Sequence, residues 1–191
     1  LGHKRFGEGD KLIFLYSNEF GKIKVVARGA SKVASKFTGH LETMNFCRVA
    51  LYFGPRNIIL TEIVTLKNFK NLRDKFESLQ SAIFMAEMTN KLFLEGQKLD
   101  NLLGLIEGSL RHLLITKNPS LVSYSYLMKI MDGLGLMPDF REVGDWVEEK
   151  YLKFLQFIKS GELSEIEKIS LSCHEDQEIE KIFDRFLAYV G

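Results

Sequence analysis

Three short segments of the chain gather residue types capable of chemistry. Gly7-Glu8-Gly9-Asp10-Lys11 has the glycines of a phosphate-cradling loop. It lacks the G-x-x-x-x-G-K-[ST] order, however, and it leads into a β-prone run where such a loop needs a helix N-terminus, so it reads as a turn. Gly133-Leu134-Gly135 would need a third glycine at Pro138 to match a dinucleotide-binding pattern, and it reads as a helix end. Cys173-His174-Glu175-Asp176 brings together a thiol, an imidazole and two carboxylates, the groups that ligate metals or pair a nucleophile with a base. Glu175 and Asp176 equally suit the first turn of a closing helix, whose dipole favours negative charge there, and that reading is preferred. Glu8, Asp10 and His40 form the set a metal-dependent nuclease would use. Carboxylates beside Lys4, Arg5 and Lys11 are expected in salt bridges or turns instead. No catalytic residue, metal ligand or cofactor is expected.

The constellation that remains is cationic. Twelve bases stand against five acids up to residue 70, about +7, whereas fourteen bases and twenty acids follow, about −6, so the overall +1 conceals an asymmetry. A basic half is an electrostatic argument for a polyanion partner. In a strand alternate residues share a face, so Lys22, Lys24 and Arg28 are expected on one side and Ile23, Val25 and Ala27 on the other. Lys32 and Lys36 follow in a segment of small and hydroxyl residues that can track a phosphate backbone, with Arg5 nearby in sequence. Phe6, Tyr16, Phe20 and Phe37 are available for stacking on bases, although each is also a natural barrel-core or loop-anchoring residue.

The elements that must position these groups fall into two halves. Leu12–Ser17 and Ile23–Arg28 read as a hairpin about the turn 18–21. Leu41–Phe53 and Ile58–Val64 read as a second about Gly54-Pro55-Arg56-Asn57. Residues 29–40 between them read as a mobile loop. Four or five strands in so short a stretch predict a closed or nearly closed small barrel, which hides strand edges. After residue 67 the apolar period becomes helical. The stripes are Leu72, Phe76, Leu79, Ile83, Met88 and Leu92; then Leu99 to Leu114; then Leu127 to Leu134; then Val143, Trp146, Val147, Phe154, Leu155 and Ile158, stopped by Gly161 in a left-handed cap; and finally Ile179 to Leu187. Ser164 with Glu167, and Ser172 with Glu175, have capping-box spacing. The fold class expected is α+β: a β-barrel over residues 1–68 followed by an all-α domain over 69–191.

Cys47 and Cys173 are isolated, with no C-x-x-C pair, which suits a reducing cytoplasm. No apolar run approaches the roughly 18 residues of a membrane span, so no membrane partner is expected. The start Leu1-Gly2-His3-Lys4-Arg5 has no initiating Met, and a few residues are expected before it.

Gly21-Lys22, Ala27-Arg28-Gly29-Ala30 and Phe37-Thr38-Gly39-His40-Leu41-Glu42, preceded by Phe6-Gly7-Glu8-Gly9-Asp10, resemble the RecO family of bacterial recombination mediators. Gly135-Leu136-Met137-Pro138-Asp139-Phe140 is similar to that family's Gly-Tyr-x-Pro-x-Leu segment at a helix end, so the resemblance covers about residues 1–140. It implies an OB-fold barrel, binding of single- and double-stranded DNA, and annealing of complementary strands. It also implies help in loading the recombinase together with RecR and the C-terminal tail of the single-stranded-DNA-binding protein, in a bacterial cytoplasm near the nucleoid. DNA-binding residues are then expected at Lys22, Lys24, Arg28, Lys32, Lys36 and Arg5. Two places depart from the family. Its zinc-binding C-x-x-C pairs fall near Val143 and Trp146, where a continuing helix is expected, and its tail-docking arginines fall at Tyr124 and Ser125, for which Arg111 and Lys129 are the substitutes. The alternative is a protein-interaction adaptor whose basic face meets acidic protein tails and not DNA.

Overall fold

The structure is a computed structural model that describes residues 1–166 and 168–190. Five strands open the chain: β1 (Gly2–Phe6), β2 (Asp10–Ser17), β3 (Gly21–Ala27), β4 (Phe46–Phe53) and β5 (Ile58–Lys67). They form one sheet in the order β1-β2-β3-β5-β4, antiparallel except where β3 meets β5 in parallel at Val26 and Ile59. This is the expected OB-type barrel, left partly open: β1 and β4 are its two edges, and no ladder between them closes it. Both expected hairpins are present, but β4 begins only at Phe46: residues 41–45, expected to open that strand, form a turn in which Asn45 N–H donates to Glu42 O at 3.2 Å. Gly21 takes φ +65° at the β2–β3 turn, and a Cβ there would lie 2.3 Å from the Gln97 carbonyl oxygen, so two independent constraints demand glycine. Ile13, Ile23, Val25, Ala27, Ala30, Phe37 and Leu60 fill the barrel. Residues 29–40 are not an unstructured loop. Successive turn bonds, such as Lys32 N–H to Gly29 O and Thr38 N–H to Ser35 O, run along them, and Ala30 and Phe37 anchor them in the barrel core.

A short 3₁₀ turn (Lys70–Asp74) leads to α1 (Phe76–Leu92), α2 (Leu102–Leu113), α3 (Pro119–Gly133), α4 (Phe140–Val143), α5 (Glu149–Ser160), α6 (Leu163–Ile166) and α7 (Cys173–Val190). Helix α3 is central. Leu121, Val122, Leu127, Ile130 and Met131 are buried along it, each such side chain contributing about 1.5–3 kcal/mol of transfer free energy. Its end is a Schellman turn, with Gly135 at φ +69° and Leu136 N–H donating to Met131 O at 2.8 Å, as Gly133-Leu134-Gly135 suggested. The Ser172–Glu175 capping box forms reciprocally. Glu175 N–H donates to Ser172 Oγ at 3.3 Å, and the Ser172 N–H and hydroxyl donate to Glu175 Oε2 at 2.9 and 2.7 Å, which holds the Glu175 carboxyl below its usual range. The Ser164–Glu167 box lies outside the described residues at Glu167.

Three helical expectations are corrected. The buried face of α1 is Ser78, Ala82, Met85, Ala86, Thr89 and Leu92, while Phe76 is 75% exposed and Ile83 is exposed too. Small residues face α3 and admit close approach; of the expected stripe, Leu72 and Leu92 are buried and Met88 packs on the core, while Phe76 and Ile83 turn outward. Val143 and Trp146 do not share one continuing helix: α4 stops at Val143, and Trp146 sits in a turn with its ring edge-on to Phe186 and beneath Arg185. Gly161 ends α5 at φ −69°, not in the left-handed region, and glycine is required there because a Cβ would meet Phe157 O at 2.8 Å.

Barrel and helices are packed together through the connection between α1 and α2. Gly96 N–H donates to Lys22 O at 2.7 Å and Lys22 N–H donates to Gln97 O at 3.2 Å. The Tyr16 hydroxyl accepts from Leu99 N–H at 2.7 Å and donates to Leu99 O at 3.1 Å, while its ring meets Phe93 edge-on.

Candidate nucleic-acid interface

The β1–β2 ladder sets Arg5 opposite Lys11 and His3 opposite Ile13, so the three polar side chains continue the inward face of the sheet past its apolar core, at the open end of the barrel. Chain segment 29–38 comes to the same place. Asp10 Oδ1 accepts Gly29 N–H at 2.8 Å, and Ser31 N–H donates to Gly9 O at 2.9 Å. Asp10 is therefore a turn-former, not half of an acid/base pair. The result is an open concavity lined by His3, Lys4, Arg5, Lys11, Ser31, Lys32 and Thr38. Burial and the neighbouring Lys11 ammonium push the His3 imidazole below its usual value, and Lys11 donates to its Nε2 at 3.3 Å. Arg5, Arg28 and Lys32 are exposed and, among the described residues, enter no ion pair. Among the described residues none neutralises them.

The other expected cations are placed differently. Lys22 was expected on an open face, but it is only 8% exposed, and its ammonium donates to Asn90 O and, at 2.8 Å, to Phe93 O at the end of α1. It points the same way as Lys24, as alternation requires, but the α1–α2 connection covers that part of the face. Lys24 reaches solvent in part and is ion-paired with Glu95. Lys36 donates to Thr61 O at 2.7 Å and lies 5.3 Å from the Phe37 ring. Arg111 shares Glu107 with Lys67, and the two cations hold that carboxyl below its usual range. Lys129 donates to Gly161 O at 2.9 Å. Both residues expected at a partner surface are thus tied to internal acceptors.

Lys4, Lys11 and His3 join the concavity without having been singled out. Their signal was the alternation His3-Lys4-Arg5-Phe6, too short and too polar to read as a strand. Among the described residues no group of three or more His, Cys, Asp or Glu is placed to hold a metal, and no helix is long and apolar enough to cross a membrane. Val143, which is buried, and Trp146, packed on Phe186, offer no ligands where the zinc-binding cysteines would stand.

Two family models divide the chain between them: Recombination protein O N terminal matches residues 1–68 and Recombination protein O C terminal matches residues 73–145. The chain belongs to the RecO family of DNA repair proteins. Among its relatives, the DNA repair protein RecO of Roseiflexus sp. (strain RS-1) is 30% identical over 136 residues, 71% of this chain and 48% of the relative. That of Pelotomaculum thermopropionicum is 31% identical over 132 residues, 69% of this chain and 51% of the relative. The RecO of Caldanaerobacter subterraneus subsp. tengcongensis is 22% identical over 211 aligned positions, 94% of this chain and 85% of the relative. The chain thus spans about half the length of the first two RecO proteins it resembles and most of the third. The barrel of this RecO chain coincides with the N-terminal match, and α1 to α4 with the C-terminal one.

Proposed function

We propose that this RecO chain binds single- and double-stranded DNA along the basic concavity and the adjoining segment 28–36, and that it uses this surface to bring complementary strands together. The observation that supports the reading is the set Arg5, Lys11, Arg28 and Lys32: exposed or half-buried, on one end of the barrel, and without an ion-pair partner among the described residues. Cations so placed neutralise phosphates on both strands of an approaching pair and release their counterions. No bond is made or broken. In this reading the helical body meets RecR and the tail of the single-stranded-DNA-binding protein, and the three together load the recombinase onto gapped DNA.

Annealing of labelled complementary oligonucleotides, followed with fluorescence anisotropy of each strand at several salt concentrations, tests the proposal. Four to six phosphate contacts correspond to a log-log slope of roughly −3 to −4 on a single strand. Arg5→Glu combined with Lys32→Glu is expected to abolish annealing. Salt-independent binding, or annealing that survives the double change, overturns it. Capture of acidic protein tails with no DNA binding would establish the adaptor reading instead.

A further inference from the structure

Of the rings considered for base stacking, Phe37 is buried in the barrel at 3% exposure, and Tyr16 is held by Leu99 and Phe93. Phe6 is 40% exposed on edge strand β1, and the rings that reach furthest into solvent lie elsewhere. Tyr52 is 58% and Phe53 55% exposed at the end of edge strand β4. Phe53 is steadied by Phe20, whose ring centroid lies 5.3 Å away at an interplanar angle of 52°. Along β4, Val49 and Leu51 pack on the barrel core, so Arg48, Ala50 and Tyr52 alternate onto the outer side. Arg48 and Tyr52 are then about 13 Å apart along the strand. Arg56 follows in the turn that Gly54 N–H closes by donating to Asn57 O. Arg48 and Arg56 are exposed and, among the described residues, make no ion pair or hydrogen bond. Glu62, across the ladder from Ala50, is the carboxylate on this strip.

The strip is continuous with the basic segment. Lys36 donates to Thr61 O at 2.7 Å, and the Thr61 hydroxyl donates to Ala50 O at 2.9 Å, which ties the last cation of that segment to β5 beside Ala50. Lys36, Arg48 and Arg56 outweigh Glu62, so the strip is positive. Open ring faces interleaved with uncommitted cations match the two components of a single strand, neutral base faces and charged phosphates. A duplex offers the phosphates but keeps its base faces stacked inside.

We propose that Tyr52, flanked by Arg48 and Arg56 and joined to the basic segment through Lys36, is a stacking subsite for an unpaired base, with Phe53 on the other side of the strand end. This rests on the DNA-binding reading above and makes the difference between single strand and duplex its own property. The Tyr52 ring holds a base displayed outward while the concavity holds the backbone.

The test is anisotropy of the full chain with three labelled probes: an oligothymidylate, an abasic oligomer of equal length, and a duplex. A stacked ring is worth about 1–3 kcal/mol per base, so Tyr52→Ala is expected to weaken oligothymidylate binding about five- to hundredfold. Abasic and duplex binding should stay within about twofold, and Tyr52→Trp should restore the single-strand affinity. Phe53→Leu keeps the contact with Phe20 apolar and, on the other side of the strand, is expected to leave oligothymidylate binding within about twofold. Tyr52→Ala with unaltered oligothymidylate affinity, or an unaltered chain that binds the abasic and base-bearing strands alike, overturns the subsite while leaving DNA binding standing. Failure of the unaltered chain to bind all three probes overturns the proposed function and the subsite together. Capture of a protein partner lost on Tyr52→Ala, with every DNA affinity unchanged, assigns the strip to a protein interface and overturns the subsite.

Discussion

Lys22→Met separates a lysine that reads DNA from one that holds two halves of a protein together. Met keeps most of the aliphatic stem and removes the ammonium, leaving the Asn90 and Phe93 carbonyls at the end of α1 without their donor. Each unsatisfied buried acceptor costs about 1–3 kcal/mol, and loss of a cation from a helix C-terminus about 0.3–1 kcal/mol more. Relief of the ammonium's own desolvation, the main cause of its lowered pKa, offsets part of this. A net loss of about 2–4 kcal/mol is expected, which for a chain of this size is a fall of roughly 5–15 °C in Tm. Thermal unfolding by circular dichroism measures it. Lys32→Met is the counterpart: its side chain is exposed, so Tm should hold, while the salt slope for single-strand binding should flatten by about 0.7, the value of one phosphate. Lys22→Met should leave the slope unchanged. A Lys22→Met protein that melts normally and loses slope would show the ammonium on phosphate, and would refute the account of this face.

Gly21→Ala is expected to cost well over 2 kcal/mol in urea unfolding, since it meets both a positive φ and the Gln97 oxygen, whereas Gly135→Ala, at φ +69° with open space around it, should cost only about 1 kcal/mol. Tyr16→Phe removes a hydroxyl that serves both backbone groups of Leu99 and should lower stability by about 1–3 kcal/mol by the same measurement. Free His3 titrates below its usual value because of burial and Lys11, and a phosphate in the concavity would raise it again. Binding therefore takes up a proton, and affinity should strengthen as pH falls from about 7.5 through 6.5, the usual histidine value. His3→Gln should flatten that profile in anisotropy titrations, and a flat profile in the unaltered chain would place the phosphates away from His3.

The hairpins, the central helix and the Ser172–Glu175 cap were legible because each is a local pattern: two-residue alternation, an apolar run, a three-residue spacing. Strand β1 was not, since His3-Lys4-Arg5-Phe6 carries no apolar alternation and is defined by its partner β2. The buried side of α1 was misjudged because Ala, Ser and Thr make the contact and Phe76 does not. Lys22 shows the deeper limit. Alternation correctly put it on the side of Lys24, but what covers that side comes from residues 90–97, some seventy positions later. The free cations at the barrel mouth were partly legible, through Arg5, Arg28 and Lys32. The exposed rings of β4 were not, since the run from Leu41 to Phe53 carries no clean polar–apolar alternation to separate an inner from an outer side.

The join at the β2–β3 hairpin has an evolutionary consequence. Gly21, Lys22, Lys24 and Tyr16 all meet the span from Asn90 to Leu99, through an oxygen that forbids a side chain, two carbonyls, a carboxylate and a backbone pair. A change in length anywhere in that span shifts all four contacts at once, and a bulkier residue at position 21 requires Gln97 to retreat. Homologues are therefore expected to keep this spacing and to vary its residues in concert with the hairpin.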